Sequence, residues 1–194
     1  MTATNPVLVL IDVQQGFEDP AWGERNNPHA EVQMKRVLDT WRKQQLPVIH
    51  VQHASTNPQS PLHPKQPGFR FKQGFDPLDD EYLVRKHVNS SFIGTELDSY
   101  LKANGVETLV FVGLTTNHCM STTVRMAGNL GYRSYVLHDA TACFDAISFD
   151  GKHVKAEDLH YAALTSLHGE FATVVSTEDM IKTIQGFKQG AISS

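Results

Sequence analysis

Residues 108–119 read Thr-Leu-Val-Phe-Val-Gly-Leu-Thr-Thr-Asn-His-Cys, a short apolar stretch followed by a polar turn. Similar apolar stretches, rich in β-branched residues, recur along the chain, and most of them are nearly unbroken rather than alternating. Such stretches are typical of strands that are covered on both faces, as in a parallel sheet. We therefore predict six strands, at residues 7–13, 48–53, 82–87, 108–114, 134–140 and 171–176.

Between these strands, apolar residues recur with the spacing of helices. One predicted helix shows the i, i+3, i+4, i+7 pattern at Met34, Val37, Leu38 and Trp41. A second helix around residues 97–101 is predicted to end at Gly105. Further helices are predicted at residues 118–130, 156–168 and 177–188. Alternating strands and helices predict an α/β fold, a doubly wound three-layer sandwich with a six-stranded parallel sheet of the Rossmann-like kind.

The composition bounds the size and the class of the protein. Its 194 residues, of which 40% are hydrophobic, suffice for a substantial core, so we predict a single domain over residues 1–194. The 17 basic and 21 acidic residues give a net charge of −4 without a basic cluster. Nucleic acid and anionic membranes are therefore not expected as partners.

The cysteines and the first residues of the chain indicate the compartment. Cys119 and Cys143 are too few for a disulfide framework. Residues 1–5 lack the basic and apolar regions of a secretory leader. The apolar stretches are shorter than the roughly 20 residues that span a bilayer. We therefore expect a cytoplasmic protein with free thiols.

Residues 54–80 differ from the rest of the chain because prolines and glycines interrupt them throughout. This segment cannot form a regular helix or strand. A loop of this length inside a compact domain usually contributes to function, although a plain surface excursion is also compatible with the pattern.

Three residues with reactive side chains follow or end predicted strands. Asp12 lies at the end of the first strand, Lys86 at the end of the third, and Cys119 follows the fourth by a short turn. Taken singly, an aspartate there is more often a turn or cap residue, a lysine a solvated strand end, and a cysteine a buried packing residue. Ligands of doubly wound sheets bind beyond the carboxyl ends of the strands, where these three side chains would converge. Together they predict a nucleophile with its activating partners.

Cys119 is the candidate nucleophile because it begins the helix predicted at residues 118–130. The helix dipole and a nearby Lys86 ammonium group are expected to lower the pKa of its thiol. Asp12 would accept or relay the proton, Lys86 would pair with Asp12, and turn amides would bind an oxyanion. Cys143 has no such surroundings and is interpreted as a packing residue.

The ten histidines raise the question of a metal site. His50 and His53 are three residues apart on a strand and point to opposite faces, so they cannot easily bind one ion together. The other histidines show no ligand spacing on a common face, and no phosphate-binding loop occurs. We therefore expect neither a metal nor a cofactor.

Three segments, in this order along the chain, resemble motifs of one family. They are residues 10–17 (Leu-Ile-Asp-Val-Gln-Gln-Gly-Phe), Lys86 with residues 89–92 (Asn-Ser-Ser-Phe), and residues 112–123 (Val-Gly-Leu-Thr-Thr-Asn-His-Cys-Met-Ser-Thr-Thr). They resemble the motifs of the isochorismatase-like cysteine hydrolases, and the resemblance covers nearly the whole chain. It implies a six-stranded parallel sheet flanked by helices.

The resemblance also implies roles for individual residues. Asp12 would be the general base, Lys86 its partner and Cys119 the nucleophile. A cis peptide bond is implied between Leu114 and Thr115, with the backbone amides of Thr115 and Cys119 directed at the oxyanion.

Departures from subfamily patterns narrow the expected substrate. Isochorismatases proper lack the cysteine, so Cys119 argues against vinyl ether cleavage. Nicotinamidases carry an Asp-x-His metal motif where this chain has residues 53–55, His-Ala-Ser. The remaining expectation is hydrolysis of a C–N bond in a small amide, N-carbamoyl, ureido, biuret-like or cyclic amide compound through a thioester intermediate.

Several further residues are predicted to contact the small-molecule substrate. The aromatic residues that would line the pocket are Phe17, Trp22, Phe92 and Phe144. The polar residues that would contact the substrate are His53 and Ser55. Each is also compatible with ordinary core or loop packing.

Two other classes of function remain open. The chain could be a catalytically silent relative that binds a metabolite or a protein, or a peroxide-sensing thiol protein, although no C-x-x-C partner is present.

Members of the family usually form dimers or tetramers, and the predicted loop at residues 141–155 carries Phe144, Ile147 and Phe149. We therefore expect a homo-oligomer.

Overall fold

The computed structural model describes residues 5–191 and contains eight strands and five α-helices in that range. The strands are β1 Val7–Ile11, β2 Val48–His53, β3 Tyr82–Lys86, β4 Thr108–Leu114, β5 Arg133–Ala142, β6 Ala146–Ile147, β7 His153–Val154 and β8 Thr173–Val175. The α-helices are α1 Ala30–Lys43, α2 Leu97–Ala103, α3 Ser121–Asn129, α4 Ala156–Leu167 and α5 Thr177–Ala191. Six strands form one parallel sheet in the order β3-β2-β1-β4-β5-β8, which confirms the predicted fold class.

Successive side chains of β1 point into two separate cores. Leu8 and Leu10 pack with the apolar residues of α1 and α5 on one face of the sheet. Val9 and Ile11 pack with α2, α3 and α4 on the other face. Because every residue of β1 is buried, its sequence shows no alternation, as expected for a strand between two helical layers.

The apolar face of helix α1 that the sequence pattern predicts is buried against the sheet. Its four apolar residues at i, i+3, i+4, i+7 spacing have no solvent exposure, and the Trp41 indole N–H donates to the Pro6 carbonyl at 3.1 Å. Burying one large aliphatic or aromatic side chain contributes roughly 1.5–3 kcal/mol. The face of α1 therefore fixes this helix on the sheet.

The strand order reverses between β1 and β4. The chain proceeds from β1 to β2 and β3 on one side, and β4, β5 and β8 lie on the other side. A reversal of this kind opens a crevice at the carboxyl ends of the two central strands, where doubly wound proteins bind their ligands. Asp12 follows β1 at this position, and residues 115–119 follow β4.

Gly113 allows β4 to approach β1 at this crevice. Its φ of +130° lies in a region that favours glycine, and an added Cβ would lie 2.0 Å from the carbonyl oxygen of Ile11. The register between β4 and β5 also shifts between Phe111 and Gly113. A side chain at residue 113 would therefore disturb the end of β4 that leads into the polar turn.

Two predicted boundaries were wrong. The helix predicted from residue 118 begins at Ser121, and a π-helical turn, Thr116–Met120, precedes it because the amides of His118 and Met120 both donate to the Thr115 carbonyl. Residues 141–155 are not a single loop, since β5 continues to Ala142 and β6 pairs with β7 in an antiparallel hairpin.

Residues 54–80 form no regular element longer than a three-residue 3-10 turn, as the prolines predicted. The segment packs closely against the turn after β1, where a Cβ on Gly68 would lie 2.6 Å from the Gly16 Cα atom. Leu62, Phe71 and Phe75 are buried. The segment is therefore fixed to the body of the protein near the end of β1.

In the described range, no helix is long and apolar enough to cross a membrane. The prediction that residues 1–5 are not a secretory leader falls mostly on residues 1–4, which lie outside that range.

We predict that Gly113→Ala destabilises the protein by about 3 kcal/mol or more, because it combines backbone strain with overlap on β1. Gly131→Ala is the matched control. Its φ is +91° but nothing lies within 4 Å of an added Cβ, so only backbone strain of about 1 kcal/mol is expected. Urea unfolding of both variants measures the difference. Equal losses would contradict the close approach at Gly113.

Candidate active site

Asp12 ends the first strand in an unusual backbone conformation. Its φ is +53°, a left-handed value that aspartate adopts more readily than most residues, and its amide donates to the Val51 carbonyl at 3.0 Å. The residue has no solvent exposure. The turn ends β1 at Ile11 and places the carboxylate inside the crevice.

Lys86 reaches the same point from β3. Strands β1 and β3 lie on either side of β2, about 10 Å apart, so a long side chain is needed to cross the end of β2. The ammonium nitrogen of Lys86 lies 2.6 Å from Asp12 Oδ2 and 3.2 Å from Cys119 Sγ. Both charged groups are fully buried, which requires them to be paired.

Cys119 lies in the π-helical turn after β4 and is 7% exposed. Its Sγ also lies 3.8 Å from Asn89 Oδ1, and Asn89 is exposed. The peptide bond between Leu114 and Thr115, at the start of this turn, is cis. The structure thus brings Asp12, Lys86 and Cys119 together at the carboxyl edge of the sheet.

The expected lowering of the thiol pKa was wrong. Burial, together with the nearby Asp12 carboxylate, raises the pKa of Cys119 to about 12, although Lys86 opposes the shift. Cys119 also lies before α3 rather than at its first turn, so the helix dipole is less well placed than predicted. The resting state of this site therefore holds a neutral thiol beside a carboxylate and an ammonium group.

His53 and Ser55, predicted as polar contacts of the substrate, have different surroundings. His53 Nδ1 lies 2.9 Å from Lys86 Nζ, and burial together with Lys86 lowers the pKa of His53. The Ser55 hydroxyl instead accepts a hydrogen bond from the Asn57 amide at 3.2 Å, in the loop after β2. His53 therefore belongs to the cluster around Lys86, and Ser55 to the local turn.

Three of the predicted aromatic residues form one cluster. Ring centroids of Phe17 and Trp22 are 5.3 Å apart, and those of Trp22 and Phe144 are 5.7 Å apart. Phe17 follows β1 and Phe144 follows β5, so the cluster lies at the same edge of the sheet as Cys119. Phe92 lies apart from this cluster, buried in the core that includes Cys119 and stacked against Tyr132.

Two groups of polar residues that support the site were not predicted from the sequence. The Gln14 side chain accepts from the His53 amide at 2.8 Å and donates to the Phe69 carbonyl at 2.9 Å. The Thr116 hydroxyl lies 2.9 Å from His160 Nδ1 and 3.0 Å from the Thr141 hydroxyl. His160 has the same helical spacing as the buried apolar residues of α4, and this spacing could have identified it as a buried polar residue.

Asp12, His53 and Cys119 offer ligand-type atoms within 4.8 Å of one another, a spacing that suits a metal ion. The ammonium group of Lys86 contacts all three side chains, so a positive charge already lies among them. A metal ion would have to displace Lys86. The absence of a metal and of a cofactor stays a prediction.

An open cavity of about 490 Å³ lies beside β2 and β3, on the face of the sheet opposite to the side chains of His53 and Lys86. Gln52 and Arg85 line it, and each is next in sequence to His53 or Lys86 on its strand. Neighbouring residues of a strand point to opposite faces, so this cavity is separate from the cluster around Lys86.

The chain is similar to known proteins over most of its length. Residues 6–179 match the family model described as Isochorismatase domain. The chain is 46% identical to YrdC, an uncharacterized isochorismatase family protein of Bacillus subtilis (strain 168), over 90% of this chain and 93% of that protein. A crystal structure of an isochorismatase-family protein from Chromobacterium violaceum superimposes with a TM-score of 0.92 at 39% identity, covering 96% of both chains.

Several relatives have named activities, among them the following two. Ureidoacrylate amidohydrolase RutB of Acinetobacter baylyi is 31% identical over 62% of this chain and 45% of its own length. Nicotinamidase 3 of Arabidopsis thaliana is 28% identical over 92% of this chain and 88% of its own. With a family model that covers most of its length, this chain belongs to the isochorismatase family of hydrolases.

Proposed function

We propose that this hydrolase cleaves a C–N bond of a small amide, carbamoyl or ureido compound through a thioester on Cys119. The observation that carries the proposal is the position of the Lys86 ammonium group, which contacts both the Asp12 carboxylate and the Cys119 sulfur in a buried site. A nucleophile with an adjacent base, oriented by a third group, is the arrangement used in covalent catalysis.

The raised thiol pKa determines how the first step proceeds. Because the thiol is neutral at rest, a proton must leave Sγ as the bond to the substrate carbonyl carbon forms. The free oxygen of Asp12, Oδ1, is buried and has no hydrogen-bond partner among the described residues. Asp12 therefore has an unused acceptor for that proton.

The remaining steps return each group to its starting state. The tetrahedral intermediate collapses, the C–N bond breaks, and protonated Asp12 gives its proton to the leaving nitrogen. Water then attacks the thioester carbon, Asp12 accepts a proton from it, and the C–S bond breaks as Sγ is reprotonated. The products are an acid and an amine or ammonia.

The turn after β4 would stabilise the negative charge on the substrate oxygen. We assign this role to the backbone amides of Thr115, which precedes the π-helical turn, and of Cys119, which lies within it. Amides fixed in a site from which water is excluded need no reorganisation when the charge develops. Removal of one such donor from other hydrolases typically costs about 10²–10³ in rate.

The substrate class rests on the chemistry of the site and on the named relatives. Phe17, Trp22 and Phe144 offer an aromatic wall at the same edge of the sheet. A ureido compound and a pyridine amide are the substrates that the names of the two relatives indicate. A small planar amide or ureido group suits such a wall.

We predict that Cys119→Ala lowers hydrolysis by more than about 10³-fold, since it removes the nucleophile. Wild type and variant are assayed with a panel of ureido, carbamoyl and amide compounds, including nicotinamide, by release of ammonia. Intact-mass measurement during turnover should show an acyl adduct on the wild type. Cys143→Ala is the control, because this buried thiol donates to the Ala156 carbonyl away from the site. Full activity of Cys119→Ala would refute the mechanism.

We predict that the Cys119 thiol stays protonated as the pH rises from 7 to about 10, because burial raises its pKa to about 12. The ultraviolet absorbance of the thiolate is measured for wild type and Cys119→Ser, and the difference reports this thiol alone. Cys143 is present in both proteins and cancels. A step in the difference near pH 8.5, the ordinary value for cysteine, would contradict the prediction.

We also propose that the chain acts as a single domain within a cytoplasmic homo-oligomer, a dimer or a tetramer. Both thiols are free, as in reducing compartments. The hairpin β6–β7 exposes apolar side chains to solvent, with Ile147 68% exposed and Phe149 fully exposed. A second copy of the chain would bury these side chains.

Light scattering at micromolar concentration is expected to show a mass of at least two chains. The paired substitution Ile147→Ser and Phe149→Ser should shift the mass towards one chain, because it removes the apolar surface of the hairpin. Val32→Ser, which removes an exposed apolar side chain of α1, is the control and should leave the mass unchanged. A monomeric wild type would overturn the proposal.

A further inference from the structure

The Lys86 ammonium group makes three contacts in a site that excludes water. Its nitrogen lies 2.6 Å from Asp12 Oδ2, 3.2 Å from Cys119 Sγ and 2.9 Å from His53 Nδ1. An ammonium group has three N–H donors and no acceptor. Each donor thus has one partner, and the loss of any partner would leave a buried N–H unpaired, which is unfavourable.

The third contact determines the state of the His53 ring. Because Lys86 can only donate, His53 Nδ1 must accept, and the ring proton must lie on Nε2. His53 is therefore a neutral imidazole in this arrangement. A protonated ring would place an N–H against the ammonium group.

The backbone of His53 is also held in place. Its amide donates to Gln14 Oε1 at 2.8 Å, and its carbonyl accepts from Gln14 Nε2 at 3.2 Å. His53 and Lys86 are register partners in β2 and β3, so their side chains leave the same face of the sheet. The ring is thus presented to Lys86 by a fixed strand end.

We propose that His53 is a positioning residue, whose neutral imidazole accepts one N–H of Lys86 and so directs the other two at Asp12 and Cys119. The inference rests on the proposed cysteine hydrolase function. In that function Lys86 must contact the base and the nucleophile together, and a displacement of about 1 Å in such a site can cost about 10² in rate.

The charged and titratable groups that face His53 come from three elements. Asp12 follows β1, Lys86 and His87 lie at the end of β3, and Cys119 lies in the π-helical turn. Burial, Lys86 and His87 lower the pKa of His53, and Asp12 opposes them. The ring is therefore neutral at neutral pH. Activity that depends on the neutral ring is present above this pKa and falls as the pH drops through it.

Two substitutions separate a positioning role from a substrate contact. His53→Asn places an amide oxygen near the position of Nδ1, so it keeps an acceptor but cannot titrate. His53→Ala removes the acceptor. With the substrate that the panel identifies, His53→Ala should lower kcat by about 10–100-fold with little change in KM. His53→Asn should recover most of kcat at neutral pH and lose the part of the acid-side decline that the wild type owes to His53.

A second measurement needs no substrate. Nitrogen NMR of protein labelled at histidine is expected to show one ring with a proton on Nε2, a bare Nδ1 and a pKa below the ordinary 6.5. The signal is identified by its absence from His53→Asn. This measurement decides the tautomer even if no compound in the panel is hydrolysed or if His53→Ala does not fold.

Three outcomes would overturn the inference. One is a His53 ring with its proton on Nδ1. Another is a rise in KM with unchanged kcat in His53→Ala, which would make His53 a substrate contact. The third is a His53→Asn variant as slow as His53→Ala although both are folded by urea unfolding. If all panel compounds fail while the NMR result holds, the proposed function is at fault and the hydrogen bond stands.

Discussion

A lysine ammonium group without access to water must find every acceptor within the protein, and this constraint shapes the centre of the molecule. Lys86 satisfies it with groups from three other parts of the chain, the ends of β1 and β2 and the turn after β4. Removing one partner of a buried ion pair typically costs about 3–5 kcal/mol, because the other charge is left unpaired. The four elements are therefore tied together by one side chain.

In the proposed mechanism, the same ion pair accounts for the use of a buried thiol as a nucleophile. A thiolate at Cys119 would add a second negative charge beside Asp12, with only Lys86 to balance both. With the thiol neutral, the site holds one positive and one negative charge. In the proposed first step, proton transfer from sulfur to Asp12 would keep that balance while the sulfur attacks, since the negative charge lost from the carboxylate would develop on the substrate oxygen.

The sequence predicted the sheet and the edge at which Asp12, Lys86 and Cys119 meet, for physical reasons that differ from those behind the failures. Unbroken apolar strands such as Val7–Ile11 indicate burial on both faces, and the rule for parallel sheets then places Asp12, Lys86 and Cys119 at one edge. The resemblance at residues 112–123 led to the same residues. Both kinds of evidence depend on local pattern and chain order, which a sequence displays directly.

The features that were missed depend on contacts between distant residues. The π-helical turn is held by Thr116, whose hydroxyl meets Thr141 and His160, and no local pattern shows that contact. The thiol pKa was mispredicted because the degree of burial depends on how α3 and its neighbours pack over Cys119. In the sequence, Gln14 is simply a polar residue that follows the first predicted strand. Only the structure shows that its side chain holds the backbone of His53. Hydrogen bonds between residues that lie 25 or more positions apart have no periodic signature.

The separation of these groups along the chain has a consequence for how the protein acquires its reactivity. Asp12 and Lys86 are 74 residues apart in sequence, and Lys86 and Cys119 are 33 apart. The strands that carry them meet only when the central part of the sheet has been assembled. If Asp12 is the base of Cys119 as proposed, a partly folded chain contains the cysteine without its base, and the chemistry would appear together with the finished sheet. For a cell, this would confine the proposed reaction to molecules that have completed folding.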